Sequence, residues 1–229
     1  MKKNWTRLKR PQSLRDQVID QIVYAIAYGN MKPGQRIVEA DLAQTLGVSR
    51  GPVREALSTL TQEGLVKIVP YKGTYVTELN RKEIWEVCTL RATLEEFSVR
   101  RIVESTENET INKLWSHYDE MVEMANSGGA INMAEIDMNL HEQIVLAADH
   151  ELLYRAWTPL KYRVLLYSTL TIEKRYPRHS TFDSLVKMHA ELIRTIEEGD
   201  ADKAATKIKN HIIQPVKELL RHKEDVEYN

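Results

Sequence analysis

Gly47-Val48-Ser49-Arg50-Gly51-Pro52-Val53-Arg54-Glu55-Ala56-Leu57 is the stretch that decides the fold of this chain. Gly47 supplies a break after whatever helix precedes it. Ser49 is a good N-cap, and Pro52 sits in a first turn, where its missing N–H costs little. Val53, Ala56, Leu57 and Leu60 then recur at helical spacing as far as Glu63-Gly64. The spacing predicts a helix over 50–63. Upstream, Leu42, Ala43 and Leu46 predict a short helix over 39–46. Leu14, Val18, Ile22 and Ile26 predict another over 14–28, ended by Gly29-Asn30 and the turn Lys32-Pro33-Gly34. Downstream, VKIVP and TYVTE flank Tyr71-Lys72-Gly73 and read as a small hairpin. Helix, helix, tight turn, helix and hairpin within 80 residues is the order of a winged helix-turn-helix. In that arrangement helix 50–63 offers its N-terminal end to the major groove of DNA.

Charge divides the chain at the same place. The 229 residues sum to −1, but residues 1–77 carry +6 and residues 78–229 carry −7. A basic front and an acidic back suggest two domains with different partners, the first suited to phosphate. We take their bounds as 1–77 and 78–229. One cysteine, Cys88, excludes an intrachain disulfide framework and a Cys-rich zinc site. No apolar run is long enough to span a bilayer. The N-terminus is basic with no apolar segment behind it, unlike a secretory signal. The expectation is a cytoplasmic protein with no membrane partner.

Beyond residue 80 nearly everything has helical period. Asn80 and Glu83 have the spacing of a capping box. Helices are expected at about 81–104, 108–126, 131–148, 151–172, 181–198 and 201–222. Breaks are expected at Ser127-Gly128-Gly129, Asp149-His150, Tyr176-Pro177 and Gly199-Asp200. Pro159 and Pro215 should kink or interrupt their helices. The fold class is mainly α: a winged helix-turn-helix followed by an all-α bundle of about six helices.

The front domain resembles the GntR family of bacterial transcription regulators. The pattern G-x-S-R-x-P-V-R-E-A-L carries the resemblance. So do Pro33-Gly34-Gln35-Arg36-Ile37, Asp41-Leu42-Ala43, Glu63-Gly64-Leu65-Val66 and Pro70-Tyr71-Lys72-Gly73-Thr74-Tyr75-Val76. It covers essentially all of residues 11–77. It implies double-stranded operator DNA as a partner, contacted by Arg36, Ser49, Arg50, Gly51, Arg54, Lys72 and Gly73. The chemistry agrees. Arg50 and Arg54 share a helix face, and arginine grips phosphate or pairs bidentately with guanine. Gly73 lets the wing backbone approach the duplex. Arg36 has two readings, a DNA contact or a brace for the turn. Lys2, Lys3, Lys9 and Arg10 form a basic tail suited to non-specific phosphate contact. The family commonly has Thr where Gly51 stands, which removes one hydroxyl contact.

The back domain holds a metal-like pattern. Asp137 and His141 lie four apart and leave one helix face, while His189 and His211 stand on later helices. A carboxylate and three imidazoles suit Zn, Ni, Co, Mn or Fe. The rival roles are a cap or ion pair for Asp137 and satisfied burial for His189 and His211. Residues 81–223 resemble the FCD effector domain of the FadR subfamily. The carrying features are Leu90-Arg91-x-x-Leu94-Glu95, Asp137-x-x-x-His141, His189-x-x-Leu192-Ile193-x-x-Ile196-x-x-Gly199-Asp200 and His211. That resemblance implies a divalent metal held by Asp137, His141, His189 and His211. It also makes Arg91 the anchor for an effector carboxylate. The rival role for Arg91 is an ion pair with Glu95, one turn on. Tyr162, Arg163 and Tyr167 either line the pocket or are ordinary helix residues. His117 and His179 are expected at the surface.

The expected function is therefore a homodimeric, ligand-responsive regulator, acting as a repressor, with a small organic or sugar acid as effector. One alternative is a metal sensor in which the ion itself is the signal. A metalloenzyme needs an open metal and a positioned base. H-E-x-x-H fails at Val145, so no enzyme is expected.

Overall fold

The computed structural model describes residues 13–78, 80–105, 108–125, 129–176 and 181–221. The tail lysines and arginine, and His179, lie outside the described residues. The chain divides into two compact units, Met1–Thr77 and Glu78–Asn229. In the first unit, helices α1 (Leu14–Ala27), α2 (Glu39–Leu46) and α3 (Arg50–Gln62) accompany strands β1 (Arg36–Ile37), β2 (Val66–Val69) and β3 (Gly73–Val76). The Ser13 hydroxyl caps α1 by accepting from the Asp16 N–H. α1 buries Val18, Ile19, Ile22, Val23 and Ile26, and α3 buries Val53, Ala56, Leu57 and Leu60. These two stripes pack on each other and form the core. Gly47 turns the chain between α2 and α3 in the left-handed region, φ 66°, where a side chain would be strained.

The wing has one more strand than a hairpin. Arg36 and Ile37 pair antiparallel with β3, giving the sheet order β1-β3-β2. β2 pairs with β3 from Val66↔Val76 to Val69↔Gly73. Ser49 occupies the N-cap position of α3, but its side chain makes no capping hydrogen bond. The expected cap is thus backbone geometry only, and the exposed hydroxyl remains available.

In the second unit the described residues form α4 (Arg81–Ser105), α5 (Asn108–Ala125), α6 (Ala130–Ala147), α7 (Glu151–Trp157), α8 (Lys161–Arg175), α9 (Asp183–Glu197) and α10 (Ala201–Arg221). The Asn80 side chain caps α4, accepting from the Glu83 N–H. The predicted helix over 151–172 is two helices, α7 and α8, joined by a 3-10 turn, Thr158–Leu160, which contains Pro159. Pro215 does not interrupt α10. α4 packs along α10, α6 packs against α5 and α8, and α9 packs against α5 and α10. Buried residues on α4, α6, α8, α9 and α10 form one core. Among the described residues, no helix is long and apolar enough to cross a membrane.

Candidate functional site

The centre of the helical bundle is polar. Arg91, Glu95, Asp137, His141 and His189 are buried there, where a bundle built for stability alone would place Leu or Ile. Asp137 and His141 come one turn apart from α6, His189 from α9 and His211 from α10. One donor atom from each of these four lies within 4.8 Å of the others. His189 Nε2 is 2.8 Å from Asp137 Oδ1, and His141 Nε2 is 3.8 Å from the same oxygen. His141 Nε2 is 3.1 Å from His211 Nε2. The sequence pattern and the fold therefore bring all four together.

The ring orientations point to a cation. His141 Nδ1 lies 2.5 Å from Glu95 Oε2, and His189 Nδ1 lies 2.8 Å from the Leu185 carbonyl oxygen. With an acceptor at each Nδ1, a neutral ring would keep its hydrogen there and turn an Nε2 lone pair to the centre. His189 Nε2, despite its closeness to Asp137, is buried with no hydrogen-bond partner. His141 and His211 oppose two ring nitrogens that cannot satisfy each other if both carry lone pairs. Imidazole and carboxylate donors sit about 2.0–2.2 Å from a zinc ion, so donors about 3 Å apart can share one. The donor set fits a divalent metal.

Burial alone would raise the Asp137 carboxyl, but His141, His189 and Arg91 hold it well below the usual carboxylate range. Burial, helped by its His189 and His141 neighbours, pushes His211 well below its ordinary value. His211 is thus a neutral imidazole, the form a metal takes. It keeps partial exposure because it lines a cleft beside the cluster.

Glu95 is a hub beside the four donors. Its Oε1 accepts from Arg91 Nε at 2.7 Å and from Trp157 Nε1 at 2.9 Å, and its Oε2 faces His141. It is 0% exposed. Burial would raise its carboxyl, yet Arg91 and His141 hold it down at about 2. Arg91 takes the ion-pair role through one nitrogen and leaves another without a partner. Nε pairs with Glu95, while Nη2 is buried with no hydrogen-bond partner. Arg91, Asp137, Tyr167 and His211 line a cleft with a cavity volume of about 60 Å3. Tyr162 and Arg163 do not line it. His150 caps α7 by accepting from the Leu153 N–H, and His117 sits half-buried beside Glu120 on α5.

In the winged unit, Ser49, Arg50 and Gly51 stand exposed at the start of α3. The space around Gly51 is open: a Cβ there would meet only Ser49 Oγ, at 3.8 Å, so a larger residue would fit. Arg54 is exposed and its Nε pairs with Glu39 on α2 at 2.7 Å. Arg36 lies against the wing: its Nε is 3.3 Å from where a Cβ on Gly73 would stand. Gly73 has φ 113°, so the tight turn and this close approach both call for glycine. Lys72 is exposed at the wing tip, next to Tyr71, which is fully exposed at φ 63°. The sequence pattern marks Tyr71 only as part of the turn. An aromatic between Pro70 and Lys72 at a hairpin tip is the signal that it faces outward.

Comparison with known proteins follows the same division. A family model described as FCD domain matches residues 86–214. Another, described as bacterial regulatory proteins, gntR family, matches residues 14–76. The probable D-xylose utilization operon transcriptional repressor of Paenarthrobacter nicotinovorans is 28% identical over 200 residues, 87% of this chain and 86% of that protein. The gluconate operon transcriptional repressor of Bacillus licheniformis is 27% identical over 178 residues, 77% of this chain and 73% of that protein. The solved structure of E. coli McbR/YncC superposes with a TM-score of 0.70 at 18% identity, covering 92% of this chain and all of that one. That last likeness is one of fold.

Proposed function

The chain belongs to the GntR family of bacterial transcription regulators and carries an FCD domain, and from that premise we propose that it is a metal-assisted, acid-responsive repressor. Its relatives are named regulators and repressors, and it is not an enzyme. The single observation that carries the finer reading is in the bundle. Four metal-type donors converge beside a cleft that also holds an unpartnered guanidinium nitrogen. Asp137, His141, His189 and His211 would hold the ion. The metal supplies a Lewis-acidic centre for an anionic oxygen. Arg91 Nη2 supplies a charge-assisted donor for the same carboxylate. A site for metal alone would not need that cleft, which favours an acid effector over the ion as signal.

Winged units of two copies would bind the two halves of an operator, one recognition helix per half-site. Residues 1–77 serve as the DNA-binding domain and 78–229 as the effector and dimerisation domain. Arg50, Ser49, Gly51 and Arg54 meet the major groove, and Lys72 and Gly73 bring the wing to the backbone. Arg36 supports the wing from behind. Homodimerisation is supported by exposed apolar residues on the helical unit: Leu90 and Phe97 on α4 and Leu152 on α7. We place the protein in the cytoplasm, with the DNA. Acid binding relieves repression by favouring one conformation over another, which requires different affinity for the two. α4 is the natural carrier of that change. It holds Arg91 and Glu95, and it is the first helix after the winged unit.

Metal analysis of untagged protein, joined to a thermal-unfolding screen of small carboxylic and sugar acids, tests this reading. Expected are about one divalent ion per chain and acids that raise the midpoint by mass action. Those shifts should vanish after chelation. Acids that act equally with and without metal would refute the metal-assisted site.

A further inference from the structure

We propose that the effector is a hydroxy acid, and that Tyr167 reads its hydroxyl in the cleft beside Arg91. The proposal rests on the reading of that cleft as an acid site, and it names the chemical class the site selects. The observation is a second unpaired polar group in the same place. Tyr167 is 2% exposed, and its Oη is buried with no hydrogen-bond partner. It lines the cleft with Arg91, whose Nη2 is equally unpartnered.

The surroundings do not satisfy the phenol. Glu83 and Arg163 are the charged groups that act on it, and they pair with each other at 3.3 Å. Cys88, one turn before Arg91, neighbours both Tyr167 and Arg91. Burial pushes its thiol up to about 11, so it stays neutral and offers only a weak donor. Burial likewise pushes the Tyr167 phenol up, aided by Glu83, so it remains protonated.

Polar and apolar side chains both line the cleft. Tyr167, Ser168 and Thr171 form a polar stripe on one face of α8. Thr171 Oγ1 donates to the Tyr167 carbonyl and keeps its lone pairs. Apolar side chains share the lining as a further wall, among them Met188 from α9 and Ile212 and Val216 from α10. A plain alkyl acid satisfies Arg91 and this wall but leaves Tyr167 buried and unpaired. A hydroxylated acid satisfies both orphans. A site built to bond a hydroxyl discriminates strongly against the analogue without one, because its own polar group is left bare.

The experiment is calorimetric titration of the metal-loaded full chain with matched acid pairs. The pairs are lactate and propionate, malate and succinate, and gluconate and hexanoate. Tyr167→Phe is the variant; it removes only an unpartnered hydroxyl and preserves packing. In the wild type, the hydroxylated member of at least one pair should bind about tenfold or more tighter. In Tyr167→Phe that preference should fall to about threefold or less, with the deoxy acid unchanged. A preference that survives in Tyr167→Phe would assign hydroxyl recognition to the metal and overturn the proposal. Equal binding within every pair would overturn it while leaving the acid site intact. No binding of any acid would overturn both.

Discussion

Replacing Glu95 with Gln should weaken metal binding about 10–100-fold, although Glu95 is not a ligand. Glu95 Oε2 takes the Nδ1 hydrogen of His141 at 2.5 Å, which leaves the lone pair on Nε2 for the ion. Gln keeps a carbonyl oxygen for Arg91 and Trp157, now bonded to Oε1. Its amide N–H then faces His141 Nδ1 and forces the ring to accept there. The ring hydrogen moves to Nε2, which must lose it before it can bind metal. The penalty in affinity is about 1.4–2.7 kcal/mol. Folding also suffers, because Arg91 loses its buried counter-charge; breaking such a pair costs about 3–5 kcal/mol. Asp137 also acts on Arg91 and softens that loss. The assay is competition for Zn2+ and Mn2+ with a chromophoric chelator, alongside urea unfolding of metal-free protein. Trp157→Phe is the control, because it removes a donor to Oε1 while leaving the His141 contact in place. It should lower stability and change metal affinity by no more than about threefold. A folded Glu95→Gln protein that binds metal as tightly as wild type would refute the relay through His141.

Three further outcomes are expected. Arg50→Ala should weaken operator binding by about 1–3 kcal/mol in mobility-shift titrations while leaving the circular dichroism spectrum unchanged; undiminished affinity would remove Arg50 from the interface. His189→Ala should sharply lower the metal content of purified protein and leave salt-sensitive, non-specific DNA binding in place, and a full complement of metal would defeat its assignment as ligand. Gly73→Ala puts a side chain at φ 113° against Arg36, so the wing should lose about 1 kcal/mol or more. Amide exchange reads this at Val76, whose N–H bonds the Gln35 carbonyl, and an unaltered rate there would show that the wing tolerates the methyl group.

What the sequence reveals depends on whether the signal is local. Gly47, Ser49 and Pro52 mark a turn and a helix start within six residues, so the helix-turn-helix is legible. Asp137 and His141 are likewise one turn apart. β1 is not legible, because two residues cannot show an alternating pattern and Arg36-Ile37 becomes a strand only by pairing with β3. Pro159 ends a helix and Pro215 does not, although both lack the same N–H. Pro215 sits within an amphipathic helix that packs along α4, and tertiary packing there outweighs one lost backbone bond. For the site, Arg91 and Glu95 are legible as an i,i+4 pair. That Glu95 also holds His141 and Trp157 depends on three separate helices meeting, which no spacing encodes. Tyr167 is one of three candidate residues on α8, and only the packed cleft distinguishes it from Tyr162 and Arg163.

The buried Arg91–Glu95 pair argues that this centre exists for binding rather than for folding. A buried ion pair commonly stabilises a fold no more than well-packed apolar residues of the same volume. Here the pair is joined by a second carboxylate and three imidazoles, drawn from helices α4, α6, α9 and α10. Within that set the unsatisfied atoms are not scattered. Arg91 Nη2 and Tyr167 Oη belong to residues that line the cleft, and His189 Nε2 lies in the cluster beside it. The other polar atoms, by contrast, are bonded: Arg91 Nε to Glu95, Trp157 to Glu95, His141 to Glu95 and His189 Nδ1 to Leu185. An arrangement that bonds one nitrogen of Arg91 and of His189 and leaves another bare is preorganised for a ligand. A bound ion and acid would complete the polar core, so their binding and the stability of the helical unit must rise together.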